Sequence, residues 1–167
     1  MVHALHEHGV EVWLDGGWGV DALLGQQTRT HVDLDLALNR NDLQRAETSL
    51  GQLGFIPDSA ATPGLPARLV MHDAAGRQVD LHPLVFDRTG DGWQQLSDDG
   101  TAWGRYPADD LRANGTVGGR PIACLSPALQ LRFHLGYDWS ERDRQDLRRL
   151  QQRFGVGPEL PGLRKTR

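Results

Sequence analysis

The chain carries one cysteine, Cys124, and one lysine, Lys165, among its 167 residues. A lone cysteine closes no internal disulfide and has no cysteine partner for a zinc site. That agrees with a reducing compartment and leaves Cys124 as a small buried apolar residue rather than a nucleophile. Without a lysine outside the C-terminus there is no P-loop lysine and no Walker pattern, so any triphosphate would have to be held by arginines, backbone amides and metal. No apolar run approaches the roughly 18 residues of a membrane span. The opening Met1-Val2-His3-Ala4-Leu5-His6 lacks the basic, apolar, small-residue progression of a signal peptide, and the expected location is the cytoplasm. A net charge of −4 argues against nonspecific nucleic-acid binding, which needs a basic stripe, and suits a neutral or cationic small substrate.

A length of 167 residues allows one well-packed domain and is too short for two. The expected organisation is a catalytic core over 1–125 with a helical segment over 126–167 packed on it as one compact unit. Val10 to Leu14 reads as a strand running into Asp15-Gly16-Gly17. Trp18 to Leu24 then has helical spacing and stops at Gly25. A second strand spans Val32 to Leu38, and Asn41 is expected to cap a packing helix that carries Leu43, Ala46, Leu50 and Leu53 and closes at Gly54. Pro57 to Pro66 reads as a loop. Ala67 to Met71 and Arg77 to Phe86 form a hairpin across Asp73-Ala74-Ala75-Gly76, and Thr116 to Leu125 forms another, turning at Gly118-Gly119. Asp87 to Asn114 shows no clear period. Ser126-Pro127 starts a helix to about Tyr137. A last helix opens at Ser140 with Asp143 three residues on, placing Leu147, Leu150 and Phe154 on one face and its arginines in solvent.

What is present in abundance is acid, and its placement carries the chemistry. On a strand, Asp33 and Asp35 project to one face while Val32, Leu34, Leu36 and Leu38 fill the other. On an arbitrary strand, Asp-x-Asp would mark a solvated outer face. Here its neighbours fit one reaction. Two half-buried carboxylates repel each other unless a cation lies between them, and the natural cation is Mg²⁺. Phosphoryl and nucleotidyl transfer use a pair of divalent ions about 3.5–4 Å apart, which needs several carboxylates. Asp80, on an alternating strand, is the best third acid. Gly16-Gly17 at a strand-to-helix turn lets backbone approach phosphates, and Arg29 and His31 stand just before the acid pair.

The run Trp13-Leu14-Asp15-Gly16-Gly17-Trp18-Gly19-Val20-Asp21, then Thr28-Arg29-Thr30-His31-Val32-Asp33-Leu34-Asp35, resembles the antibiotic branch of the DNA-polymerase-β-like nucleotidyltransferases. Val79-Asp80-Leu81-His82-Pro83, and Ile122-Ala123-Cys124-Leu125-Ser126 leading to Phe133-His134-Leu135-Gly136-Tyr137-Asp138, narrow this. Together the four runs, in the expected order over almost the whole chain, are similar to the small lincosamide nucleotidyltransferases and more distantly to the aminoglycoside 2″-nucleotidyltransferases. Two departures stand out. The helix before Val10 is short and interrupted by Gly9, and Gly-Gly replaces the Gly-Ser of the wider superfamily, as is normal for the antibiotic branch.

The resemblance implies an α/β (α+β) polymerase-β-like fold, with a mixed twisted sheet flanked by helices and C-terminal helices. It also implies Mg²⁺, expected as two ions, and ATP as co-substrate. Carried over by motif, Gly16 and Gly17 hold the triphosphate, with Asp21, Arg29 and His31 supporting the phosphates or standing behind them. Asp33, Asp35 and Asp80 are the metal ligands and catalytic acids, with Asp80 as base on the acceptor hydroxyl. His82, Tyr137 and Asp138 are the expected acceptor wall. The expected reaction moves AMP from ATP to an antibiotic hydroxyl, a lincosamide first and an aminoglycoside second, with release of pyrophosphate. Two rivals are a minimal enzyme that modifies a protein or tRNA and a catalytically idle nucleotide-binding module. A homodimer would suit a pocket that one chain only partly forms, which the sequence does not decide.

Overall fold

A computed structural model describes residues 1–59, 67–97, 99–134 and 138–156. Helix α1 (Val2–Glu7) buries Leu5 and turns at Gly9, in the left-handed region at φ 70°, into strand β1 (Val12–Leu14). Helix α2 (Gly16–Leu24) follows at once and ends on left-handed Gly25, as the spacing predicts. Strand β2 (Asp33–Asn39) returns antiparallel to β1, with Leu14 opposite Leu36. A 3₁₀ turn (Arg40–Asp42) leads into α3 (Leu43–Gln52), and the cap is Asn39, whose side chain accepts from the Asn41 amide. Asn41, the expected cap, instead lies inside the 3₁₀ turn, and α3 itself starts after Asp42, whose side chain makes no capping bond.

Strands β3 (Ile56–Pro57), β4 (Leu69–His72) and β5 (Gln78–Phe86) complete the centre of the sheet, and the expected β4–β5 hairpin is present. Strand β5 lies parallel to β2 and is long enough for two partners on its other side. Its first half pairs with β4 and its second with β6 (Gly92–Gln95), which in turn pairs with β7 (Trp103–Tyr106). The result is a mixed seven-stranded sheet with the central path β1-β2-β5-β4-β3. The β6–β7 hairpin falls in the stretch that shows no period. On one face Gly92 lies opposite Tyr106 and Gln94 opposite Gly104, so apolar alternation is absent; the Tyr106 hydroxyl donates to Gln94 instead, at 2.8 Å. The hairpin β8 (Asn114–Val117) and β9 (Arg120–Ala123) stands apart as a second, two-stranded sheet.

Both faces of the large sheet are covered. One core joins Leu34, Leu36 and Leu38 of β2 to Val79 and Leu81 of β5 beneath Leu5 of α1 and Ala46 and Leu50 of α3. The other face gathers Ala37, Leu84 and Tyr106 under Leu125 and Leu129, the latter from α4 (Pro127–Phe133). Helix α4 ends at Phe133, short of the expected Tyr137, which lies outside the described residues. Helix α5 (Glu141–Phe154) opens on a full capping box between Ser140 and Asp143 and buries Leu147 and Leu150. Two expected core residues are in solvent: Val32, 66% exposed, just outside the strand that begins at Asp33, and Phe154 in the last turn of α5. No helix among the described residues is long and apolar enough to cross a membrane.

Candidate active site

The period-2 alternation of β2 does what the sequence suggests. With Leu34, Leu36 and Leu38 turned into the core, Asp33 and Asp35 face a cleft of about 280 Å³. The parallel register then sets Asp80 directly opposite Asp35. Asp80 is 3% exposed and accepts from Gln78 Nε2 at 2.6 Å and Arg68 Nη1 at 3.4 Å. Asp35, Asp80 and His82 each offer a ligand atom within 4.8 Å of the others. Asp33 lines the same cleft.

His82, expected in the acceptor wall, lines the cleft. It sits at the centre of the acids, Nδ1 3.4 Å from Asp15 Oδ2 and Nε2 3.7 Å from Asp35 Oδ1. The Nδ1 atom is buried and meets Asp15 outside ideal hydrogen-bond geometry. Burial works against a charged imidazole there, but Asp15, then Asp35 and Asp80, outweigh it and hold the His82 pKa above its ordinary value. Burial pushes the Asp35 carboxyl up to about 7; His82 opposes the rise, and Asp15, Asp33 and Asp80 add to it. Several carboxylates crowded around one imidazole, with one of them held off ionisation, make a donor set that a hard divalent cation fits. Burial also pushes the Cys124 thiol up to about 11, in keeping with its reading as an inert core residue.

At the rim, Asp15 caps α2 by accepting from the Gly16 amide at 2.6 Å. Gly16 has φ +56°, and a Cβ there would strike the Asp35 carboxylate. A Cβ on Gly17 would strike the Arg29 guanidinium and the His31 ring. The two glycines are thus required by close approach as much as by the turn. Arg29 lines the cleft, and its Nε and Nη2 donate to Asp146 Oδ2 at 3.0 and 2.8 Å. His31 does not reach the cleft. Its side chain and that of Asp21 are each 2% exposed, paired at 2.5 Å, with Trp18 stacked on the imidazole at 4.6 Å. Asp21 also accepts from the Thr28 amide and hydroxyl, which ties the segment before β2 to α2. Asp21 and His31 therefore stand behind Gly17, where they can shape the turn but not touch a phosphate in the cleft.

The opposite wall comes from the C-terminal helices: Phe133 and His134 at the end of α4, and Asp143 in the first turn of α5. Sequence reasoning passed over these three and Asp15. Asp15 and Asp143 carry local signals that are fully explained by helix capping, which hides a second role. Asp138 is exposed and outside this wall, and Tyr137 lies outside the described residues.

Acids on a central strand facing another across its parallel neighbour, beside a glycine-led helix start, define a nucleotidyltransferase site on a mixed α+β sheet. Residues 1–150 match the family described as aminoglycoside-2''-adenylyltransferase. A lincosamide resistance protein of Staphylococcus haemolyticus is 32% identical over 155 residues, 88% of each chain. A 2''-aminoglycoside nucleotidyltransferase of Klebsiella pneumoniae is 39% identical over 126 residues, 75% of this chain and 64% of its own. The lincomycin-bound crystal structure of the lincosamide antibiotic adenylyltransferase LnuA is similar with a TM-score of 0.76 at 29% identity, covering 89% of this chain and 90% of the other. ANT(2'')-Ia in complex with adenylyl-2''-tobramycin shares the fold, with a TM-score of 0.67 at 20% identity over 90% of this chain and 83% of that one. The chain belongs to the aminoglycoside-2''-adenylyltransferase family and is an adenylyltransferase of the antibiotic-resistance branch. The resemblance carried by the motifs and the expected fold are both borne out.

Proposed function

We propose that the protein transfers AMP from ATP to a hydroxyl of a lincosamide, with Mg²⁺, and inactivates the drug. The observation that carries the reading is the placement of Asp33, Asp35 and Asp80 around one end of the β2–β5 pair, beside the Gly16-Gly17 turn. Asp33, Asp35 and Asp80 would hold the metal, expected as two ions. When bound, it would neutralise the charge gathering on the α-phosphate and make the acceptor hydroxyl easier to deprotonate. Gly16 and Gly17 present backbone to the triphosphate at the start of α2, and Arg29 adds a permanent cation. Asp80 accepts the hydroxyl proton. The acceptor oxygen forms its bond to the α-phosphorus as the bond to the leaving pyrophosphate breaks, giving an AMP ester.

Phe133, His134 and Asp143 supply an acceptor wall with one aromatic face and one carboxylate, which suits a ligand that combines apolar surface with a single amine. That favours a lincosamide, as does the like length of the lincosamide resistance protein, 88% of which is covered, against 64% for the aminoglycoside enzyme. In this reading residues 126–156 belong to the same catalytic unit as the core, and ATP places the reaction in the cytoplasm. Incubation with ATP or GTP, Mg²⁺ and a panel of lincosamides and aminoglycosides, read by mass spectrometry, tests it. The expected product is a lincosamide heavier by one AMP. Adducts on aminoglycosides alone would reassign the acceptor, and absence of any drug adduct, with labelling of protein or tRNA, would overturn the reading.

A further inference from the structure

We propose that Asp146, on the C-terminal helix, is a positioning residue for nucleotide binding that holds the Arg29 guanidinium against Gly17 with its remaining N–H groups turned to the cleft. The inference rests on the reading above that the Gly16-Gly17 turn takes the triphosphate.

Asp146 is 1% exposed and is one of the buried residues of its helix with Leu147 and Leu150. A carboxylate so deeply buried is costly unless paired, and pairing alone gives little net stability over an apolar residue, which raises the question of what it is for. Its two oxygens are committed separately. Oδ1 accepts from Arg149 Nη1 at 3.2 Å, one turn along α5, and Oδ2 accepts from both Nε and Nη2 of Arg29. Arg149 thus fixes the plane of the carboxylate. Two donors on a single oxygen then fix the plane of the guanidinium. Arg29 Nη1 donates further to the Thr30 carbonyl at 3.3 Å. Among the described residues, each terminal nitrogen still keeps one uncommitted N–H.

What those N–H groups face follows from Gly17. Nη2 lies so near the Gly17 Cα that no side chain fits between them, and Arg29 and Gly17 line the same cleft. A cation laid across the first turn of α2 adds to the positive end of the helix where an anion would dock. Arg29 and Asp146 are 117 residues apart in sequence, so the C-terminal helix has to be docked for this cation to be aimed. Phosphate binding by a preset guanidinium loses less entropy than binding by a free one.

The test is binding of ATP, ADP and AMP, each with Mg²⁺, to the full chain and its variants. Asp146→Asn is expected to weaken ATP about tenfold, ADP less and AMP not at all, and to have no further effect in an Arg29→Ala background. In turnover, KM for ATP should rise while KM for the acceptor stays unchanged. Asp146→Glu, which keeps the charge but displaces the guanidinium, should give the same phosphate-dependent loss, so the test survives poor folding of the Asn variant. Arg149→Gln, outside the cleft, frees the plane of the carboxylate but leaves both Arg29 donors their acceptor, and should give a smaller loss in the same order of ATP, then ADP, with AMP unaffected. Equal weakening of all three nucleotides, or no weakening, overturns the inference and marks Asp146 as structural. If Arg29→Ala itself leaves ATP binding intact, the phosphate role of Arg29 fails, and this inference with it.

Discussion

Replacing Asp35 with asparagine should make the metal-free protein more stable at pH 8, although it removes a residue at the heart of the site. The Asp35 carboxyl is raised from its ordinary 3.8 to about 7. Between those values the folded chain keeps a proton that the unfolded chain has released, so stability falls as the pH climbs from about 4 to 7 and is level above that. His82, raised in the fold, acts in the same direction: its contribution is complete below the unfolded value and lost as pH rises through the folded one. A displacement of the size seen for Asp35 corresponds to about 4 kcal/mol as a ceiling. The Asp35 side chain is 23% exposed, and water and relaxation bring the expected effect nearer 2 kcal/mol. For a domain of this length that is about 4–8 °C in Tm.

The assay is thermal unfolding of wild type and Asp35→Asn at pH 5 and pH 8, in EDTA and in Mg²⁺. At pH 5 in EDTA the two should melt within about 2 °C, since a protonated Asp35 and an asparagine are near isosteres. At pH 8 in EDTA the variant should melt higher. With Mg²⁺ at pH 8 the order should reverse, because a ligand that binds only the fold stabilises it by mass action and the variant has lost a donor for it. A variant that melts at or below wild type at pH 8 in EDTA, or that gains as much from Mg²⁺, would refute the argument that uncompensated charge at Asp35 is what the cation relieves.

Asp80→Asn should keep its fold, as a near isostere beside Gln78, while pyrophosphate release falls at least about 100-fold at saturating ATP and drug. Gly17→Ala should raise KM for ATP by about tenfold or more, because the methyl group takes the place of the Arg29 and His31 contacts; unchanged KM would remove Gly17 from the phosphate turn. Asp21→Asn should lower the urea unfolding free energy by about 3 kcal/mol, since it unpairs a fully buried His31 and loosens Thr28. An unchanged midpoint would mean that the pair does not brace the turn.

The acids of β2 were legible because strand alternation is local: Leu34, Leu36 and Leu38 predict where Asp33 and Asp35 point, and the core confirms it. The pairing of Asp35 with Asp80 was legible only as a guess at a third acid, because parallel register is set by a long crossover through α3 and β4 and not by adjacent residues. Arg29 lines the cleft beside Gly17, and its partner on α5 is invisible to any local rule. The acids around His82 were not legible, because Asp15 approaches it from another strand's end. The β6–β7 hairpin escaped because Gly92, Gln94 and Gly104 share one face of it with Tyr106, which leaves no apolar alternation to read.

The composition of the cleft explains why the near absence of lysine is tolerable in an enzyme that handles a triphosphate. Asp15, Asp33, Asp35 and Asp143 line the cleft, and Arg29 is its only arginine or lysine among the described residues. That arginine is itself partly neutralised by Asp146. Side chains alone therefore present a field that repels an anion, and helix-terminal amides are worth too little to reverse it. On the proposed function the positive charge would arrive with the nucleotide, as its bound cation, and carboxylates that held the cation would also select against the free triphosphate. A lysine in the cleft would compete with that arrangement by pairing with Asp33 or Asp35. An arginine pinned by Asp146 on one side and stacked over Gly17 on the other can contribute its charge without collapsing onto the acids.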